Sequence, residues 1–223
     1  MTRSLPSSLH ARRAGATLTE VFPAIGAEAA AAGFVMAQLG HGRDAVLWIQ
    51  DRLAQRETGR PCLAGLGLRR PVMMVQLSRP VDVMIAIEEG LRCKALAAVI
   101  AEIRGDPAAV NFTTMKRLAL RAEATGVPCW LIRQAATVGL SAARDRWRIT
   151  TLPSTTNPDD ARAPGDPRWR VELFRSRDGR PGEWVAHHER GSHGAADRLD
   201  LVAAIPDGAV AEDAGADGQR AAR

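Results

Sequence analysis

Lysine is nearly missing from this chain. Among 223 residues there are 30 basic ones, and only Lys94 and Lys116 are lysines; the rest are arginine. That scarcity narrows the chemistry at once. A phosphate-binding loop needs glycines that let backbone N–H groups approach the phosphates, then a lysine and a Ser or Thr. Its place is just ahead of the first helix, where the sequence reads Gly26-Ala-Glu-Ala-Ala-Ala-Ala-Gly33. Gly26 stands where a first glycine should, but no lysine is near. ATP hydrolysis by the usual route is therefore not expected.

Other absences exclude more. The three cysteines, Cys62, Cys93 and Cys129, lie far apart without metal-ligand spacing and read as reduced, buried thiols. No apolar run is long enough to span a bilayer. No apolar segment follows Arg3, Arg12 and Arg13, so no secretory signal is read and a cytoplasmic location is expected. Ser141 lacks a glycine elbow, and His187-His188 lacks Cys or acid ligands at useful spacing. No catalytic residue, cofactor or metal site is expected.

What is present suits a globular domain. Hydrophobic residues make up 46% of the chain, enough for a real core at this length. The most informative stretch is Val81 to Arg104. Met84, Ile87 and Leu91 recur at helical spacing with Val83 beside them, while Asp82, Glu88, Glu89 and Arg92 take the other face. Pro80 suits a helix start. Leu96 to Ala101 is then a continuous apolar run, as in a strand covered on both faces, and it ends at Glu102. Ligands of open α/β sheets sit beyond the carboxyl ends of the strands. Glu102 reads as an ion-pair partner first and as the holder of a metal-bound water second.

The same pattern extends outward. Ala24–Leu39 reads as an Ala-rich helix, Ala45–Gln50 as a strand, residues 52–70 as a compact Gly/Pro loop and Pro71–Leu77 as a strand. A helix capped by Thr113 or Thr114 runs to Thr125, stopped by Gly126, before the strand Val127–Arg133. Alternation of helices and buried strands implies an α/β fold with a mostly parallel sheet. After Ser141 the period changes to two. Arg144–Leu152, Trp169–Phe174 and Glu183–His187 read as strands added antiparallel to the sheet edge, around a flexible loop at 153–167. The expected organisation is a flexible 1–20, a domain at 21–189 and a disordered acidic tail at 190–223. That tail has four arginines against six acids, a net of −2, leaving +7 for residues 1–189.

The remaining chemistry is charge on surfaces. Glu88, Glu89 and Arg92 form either a partner-binding face or a solvated helix face with internal ion pairs. Arg117 and Arg121 lie one turn apart. Arg146 and Arg148 alternate with Trp147, and Arg170 follows Trp169. Arginine interleaved with tryptophan suits single-stranded nucleic acid. Strict alternation instead turns the tryptophans into the core and leaves an arginine face to water.

Several short motifs fall in a telling order: Thr19-Glu20-Val21, Val46 to Asp51, Glu57-Thr58-Gly59-Arg60-Pro61, Glu88 to Cys93, Ala97 to Glu102, Lys116 to Glu123, Leu131-Ile132-Arg133 and Ser141 to Arg144. Together, across residues 18–188, they resemble the ImuA family, RecA-like proteins of bacterial damage-induced mutagenesis cassettes. The resemblance implies a RecA-like domain without a functional ATPase site, serving SOS-induced translesion DNA synthesis as an accessory factor. It implies an ImuB-type partner, a Y-family polymerase relative, with RecA, an error-prone polymerase III alpha subunit and single-stranded DNA as further contacts. By the same resemblance Glu102 stands where a RecA ATPase keeps its magnesium-associated acid, and Gly26–Gly33 where the phosphate loop was. Longer members carry a strand before the first helix, which this reading expects to be missing or replaced. A degenerate nucleotide-binding protein and a regulator of recombination or cell division are the alternatives.

Overall fold

In the computed structural model the described residues are 16–26, 28–40, 42–66, 70–191 and 197–204. Their strands form one sheet. In chain order the elements are β1 (Leu18–Pro23), α1 (Ala30–Leu39), β2 (Ala45–Asp51), α2 (Arg52–Thr58), β3 (Val72–Leu77), α3 (Pro80–Gly90) and β4 (Leu96–Arg104). Then come α4 (Phe112–Thr125), β5 (Cys129–Gln134), β6 (Asp145–Leu152), β7 (Arg168–Ser176), β8 (Gly182–Glu189) and β9 (Arg198–Ala203). The nine strands run β3-β2-β4-β5-β1-β6-β7-β8-β9. The first six in that order are parallel, and β7 to β9 continue antiparallel. The expected α/β architecture is thus observed, with antiparallel strands at its C-terminal side.

The centre of the sheet is a strand whose first half, Leu18 to Glu20, the sequence reading placed in a flexible segment. Leu-Thr-Glu-Val-Phe-Pro is buried along its whole length, between β5 and β6. A threonine and a glutamate in six residues hide the apolar pattern. The strand expected to be missing before the first helix is therefore present.

Other boundaries shift for local reasons. Helix α1 begins at Ala30 rather than Ala24, because residues 24–26 carry the chain out of β1 and residues 28 and 29 precede the first helical turn. Gly33 then falls inside the helix, where a Cβ would lie 2.9 Å from Trp169 Cζ2; it is a packing glycine, not part of a phosphate cradle. The loop expected at 52–70 opens with α2, whose start is capped by Asp51 accepting from Leu53 N at 3.2 Å. Helix α4 is capped by Asn111 rather than a threonine: Asn111 Oδ1 accepts from Thr114 N at 3.0 Å. Gly126 ends it in the left-handed region, φ 79°. Strand β6 pairs parallel with β1, so the antiparallel addition begins only at β7.

The loop at 153–167 is pinned at its neck, where Thr155 N donates to Asp166 O at 3.0 Å. Strand β9 lies within the expected tail and pairs with β8. Its alternation places Leu199 and Leu201 against the core, too few apolar residues to stand out beforehand. Residues 205–223 and 1–15 lie outside the described residues.

Two cores flank the sheet. On one face α3 and α4 cover it through Val83, Met84, Ile87, Leu91, Met115 and Leu118. On the other, α1 packs Phe34 and Val35 against Trp48, Trp147 and Trp169. Both expected inward tryptophans, Trp147 and Trp169, are buried core. Of the cysteines only Cys129 is buried, its thiol pushed up to about 12 by burial; Cys62 and Cys93 are exposed, against expectation. No helix among the described residues is long and apolar enough to cross a membrane.

Gly90 lies flat on the sheet. A Cβ there would sit 2.5 Å from Leu47 Cδ2 and 3.1 Å from Val99 Cγ2. Overpacking of this kind costs about 1–3 kcal/mol, against about 1 kcal/mol gained in helix propensity. Gly90→Ala is expected to lower the urea midpoint; an unchanged or raised midpoint would contradict this helix–sheet contact.

Candidate functional site

The parallel strands end together on one side. There a cavity of about 330 Å³ opens between the β1–α1 turn, the 58–66 loop and the ends of β2, β4 and β5. Gln50, Glu102 and Gln134 reach it from three neighbouring strands, Glu28 from the turn and Arg60 from the loop.

Glu102 is not the last residue of its strand. Strand β4 runs on to Arg104, and the carboxyl group is 3% exposed. Trp48 Nε1 donates to Glu102 Oε1 at 2.6 Å and Gln50 Nε2 at 3.2 Å. Burial pushes its pKa up, opposed by hydrogen bonds from Trp48, Gln134 and Gln50. Among the described residues the expected ion-pair role is not seen; neutral donors hold this acid. Gln50 Nε2 also donates to Gly59 O at 3.1 Å, tying the Gly59-Arg60-Pro61 wall to β2.

The polarity of this cavity decides what it can hold. Glu28 Oε2 and Gln134 Oε1 are buried there without a hydrogen-bond partner among the described residues. Both are acceptors, and phosphate oxygens are acceptors too. Neither lysine lines the cavity: Lys94 is exposed in the turn before β4, and Lys116 is exposed on α4 across the sheet. Gly26 does stand in the β1–α1 turn, packed on Ala135, and its carbonyl accepts from Arg104 Nη1 at 3.4 Å. Among the described residues no cluster of three or more His, Cys, Asp or Glu is arranged for a metal.

A second constellation went unread in the sequence. Glu20, 0% exposed, sits between Arg133 and Arg146, which are 6% and 3% exposed. Arg133 Nη1 lies 3.0 Å from Glu20 Oε1 and Arg146 Nε 2.7 Å from Oε2. The second contact is off the N–H line, so it is an ion pair rather than a directed hydrogen bond. Arg133 also grips Asp106 at 2.7 Å, and Asp106 accepts from Thr137 N and Oγ1. Phe22 and Phe174 lie under the Arg146 guanidinium, 5.2 and 5.4 Å away. Burial pulls the Arg146 pKa down while Glu20 holds it up. The available signal was a lone acid and a lone base inside apolar strands, since buried charges are paired.

Arg146 therefore leaves the set of partner-contact candidates. The other seven are also paired. Glu88 bridges Arg117 at 2.8 Å and Arg121 at 3.0 Å, joining α3 to α4. Glu89 pairs with Arg92 at 3.2 Å. Arg148 pairs with Glu172, and Arg170 lies 3.3 Å from Glu183. The structure gathers five of them on the α3–α4 face and two on the face of β6 to β8 that lies away from α1.

Two outcomes follow. Glu20→Gln leaves the buried Arg146 guanidinium without a counter-charge and Arg133 with Asp106 alone, and is expected to cost about 3–5 kcal/mol, read from urea unfolding; a loss below about 1 kcal/mol contradicts the pairing. For Glu102, the raised pKa means that the folded chain keeps a proton the unfolded chain has released. Stability is full below the ordinary glutamate range and declines as pH rises through the raised value. Glu102→Gln is expected to flatten that decline in melts between pH 5 and 8. A constant gap between the two proteins across that range contradicts the assignment.

No protein-family model matches this chain. It is 32% identical over 161 residues to Protein ImuA of Caulobacter vibrioides strain NA1000 / CB15N, and equally to that of strain ATCC 19089 / CIP 103742 / CB 15. The match covers 67% of this chain and 63% of each relative, so it spans somewhat less than two thirds of their length. Among solved structures, the crystal structure of the RadB recombinase is similar at 15% identity and a TM-score of 0.47, covering 76% of this chain and 87% of that one. On its identity to these relatives, the chain belongs to the ImuA family.

Proposed function

We propose that this protein is a non-catalytic, cytoplasmic accessory factor of SOS-induced translesion DNA synthesis that docks an ImuB-type polymerase relative. The observation that carries the non-catalytic part is the carboxyl-end cavity, which offers unpaired acceptors and the acids Glu28 and Glu102, with Arg60 the one cation among its described lining residues, where a phosphate needs a cluster of donors and positive charge. Membership of the ImuA family supports the pathway. RecA and an error-prone polymerase III alpha subunit are further partners in this reading.

The face formed by α3 and α4 suits a protein partner best. Ile85 on α3 and Leu120 on α4 are 52% and 55% exposed, and Val81 and Phe112 are exposed on the same two helices. Exposed apolar side chains among Glu88, Glu89, Arg92, Arg117 and Arg121 resemble an interface, with a polar rim around apolar contacts. Arg148 and Arg170 favour DNA less, because Glu172 and Glu183 already answer them.

Co-purification with the ImuB-type partner tests this. The wild-type chain is expected to hold the partner. Ile85→Asp with Leu120→Asp is expected to release it while leaving the melting temperature within a few degrees, as surface changes do. No association of the wild-type chain, together with induced mutagenesis unchanged on deletion, would overturn the reading.

A further inference from the structure

A larger cavity, of about 510 Å³, opens at the opposite end of the sheet. It exists because α1 is short. The helix stops at Leu39 before Gly40, short of the amino ends of the strands beneath it. Register then lines up its floor. Thr19 of β1 lies level with Trp130 of β5 on one side and Asp145 of β6 on the other. Residues level with one another in adjacent strands point to the same face, here the one that α1 covers farther along.

This cavity has the reverse polarity of the one at the carboxyl ends. Thr17 Oγ1, Gln38 Nε2 and Trp130 Nε1 all line it, buried, with no hydrogen-bond partner among the described residues. Two of the three are donors only, and burying them unpaired is costly. Three such atoms on one cavity imply a ligand with acceptor oxygens. The charge is equally one-sided. Asp44 and Asp145 border the cavity, and among the described residues no Lys or Arg lines it; the nearby Arg70 is taken up by the carbonyls of Leu39, Gly40 and Asp44. Trp130 and Trp147 supply indole surface. Phosphate is thereby disfavoured, and with it a nucleotide or nucleic-acid strand.

We propose that this cavity binds an arginine-bearing peptide segment of a partner protein. Peptide carbonyls take the unpaired N–H groups of Trp130 and Gln38. The guanidinium meets Asp44 and Asp145 and stacks against an indole, the geometry that distinguishes arginine from other cations. The volume falls in the range of pockets that enclose a drug-sized ligand, enough for one arginine side chain with its flanking peptide groups. The surface is separate from the α3–α4 face and from the carboxyl-end cavity, so it stands or falls apart from the function proposed above.

The test uses the full chain and two capped tripeptides, Gly-Arg-Gly and its neutral isostere Gly-citrulline-Gly, followed by tryptophan fluorescence and calorimetry. The arginine peptide is expected to bind about tenfold or more tighter than the citrulline peptide. Trp130→Phe keeps a ring but removes the N–H, and is expected to weaken binding about fivefold or more with an unchanged melting temperature. Asp44→Asn is expected to do the same, and it leaves intact the 2.6 Å bond from Ser176 Oγ that Asp145 accepts. Equal binding of the two peptides, no binding at millimolar concentration, or full affinity in both variants would overturn the proposal. Binding that appears only after removal of residues 1–15 would also overturn it, by making the chain's own segment the occupant.

Discussion

The carboxylate of Glu20 holds this fold at its centre. It lies on the middle strand of nine, fully buried, with a guanidinium on each side from β5 and β6. Helices α3 and α4 cover this face over β2 to β5 and the edge of β1. Beyond that, the triad and the ring pair Phe22–Phe174 take the place of a helix as cover. Such an arrangement is not a net source of stability, since three ions lose their water. What it supplies is register. A one-residue slip of β1 turns Glu20 into the α1 core, leaving Arg146 unmatched and Arg133 with Asp106 alone. Arg133 carries the constraint outward to Asp106 and Thr137, fixing the two loops that follow β4 and β5.

Seen from that strand, the two ends of the sheet differ in chemistry. At the carboxyl ends, Glu28 and Gln134 present acceptors and Glu102 is held by Trp48 and Gln50. At the amino ends, Thr17, Gln38 and Trp130 present unpaired hydroxyl and N–H groups beside Asp44 and Asp145. Among the described residues, neither end offers the cluster of donors and cations that a triphosphate needs. Positive charge is instead dispersed into ion pairs that join one element to the next, Glu88 with Arg117 and Arg121 being the clearest case. Part of the basic composition is thus taken up in the architecture.

Much of the sheet was legible because apolar runs and period-two alternation mark buried strands without ambiguity. Leu96–Ala101, the 3.6-period face of α3 and the inward turn of Trp147 and Trp169 were all read from spacing. What escaped depended on partners far away in sequence. Strand β1 looked polar because the charge on Glu20 is answered 113 and 126 positions later, by Arg133 and Arg146. Strand β9 has only two core leucines and needs β8 to exist. Gly33 looked like a vestige of a loop because nothing local shows the Trp169 ring against it. Arg146 looked solvent-facing by alternation, which is correct for its side of the sheet, but Phe22, Phe174 and Arg133 close over that side. Glu102 was singled out from the sequence, whereas its hold by Trp48 and Gln50 required the register of β2 against β4.

The central proposal is that this scaffold does not handle nucleotide. Calorimetric titration of the pure chain with ATP and magnesium at millimolar concentration, paired with a turnover assay, tests it most directly. The account predicts no saturable heat and no released phosphate. Saturable binding, or turnover that disappears in Glu102→Gln, would contradict it.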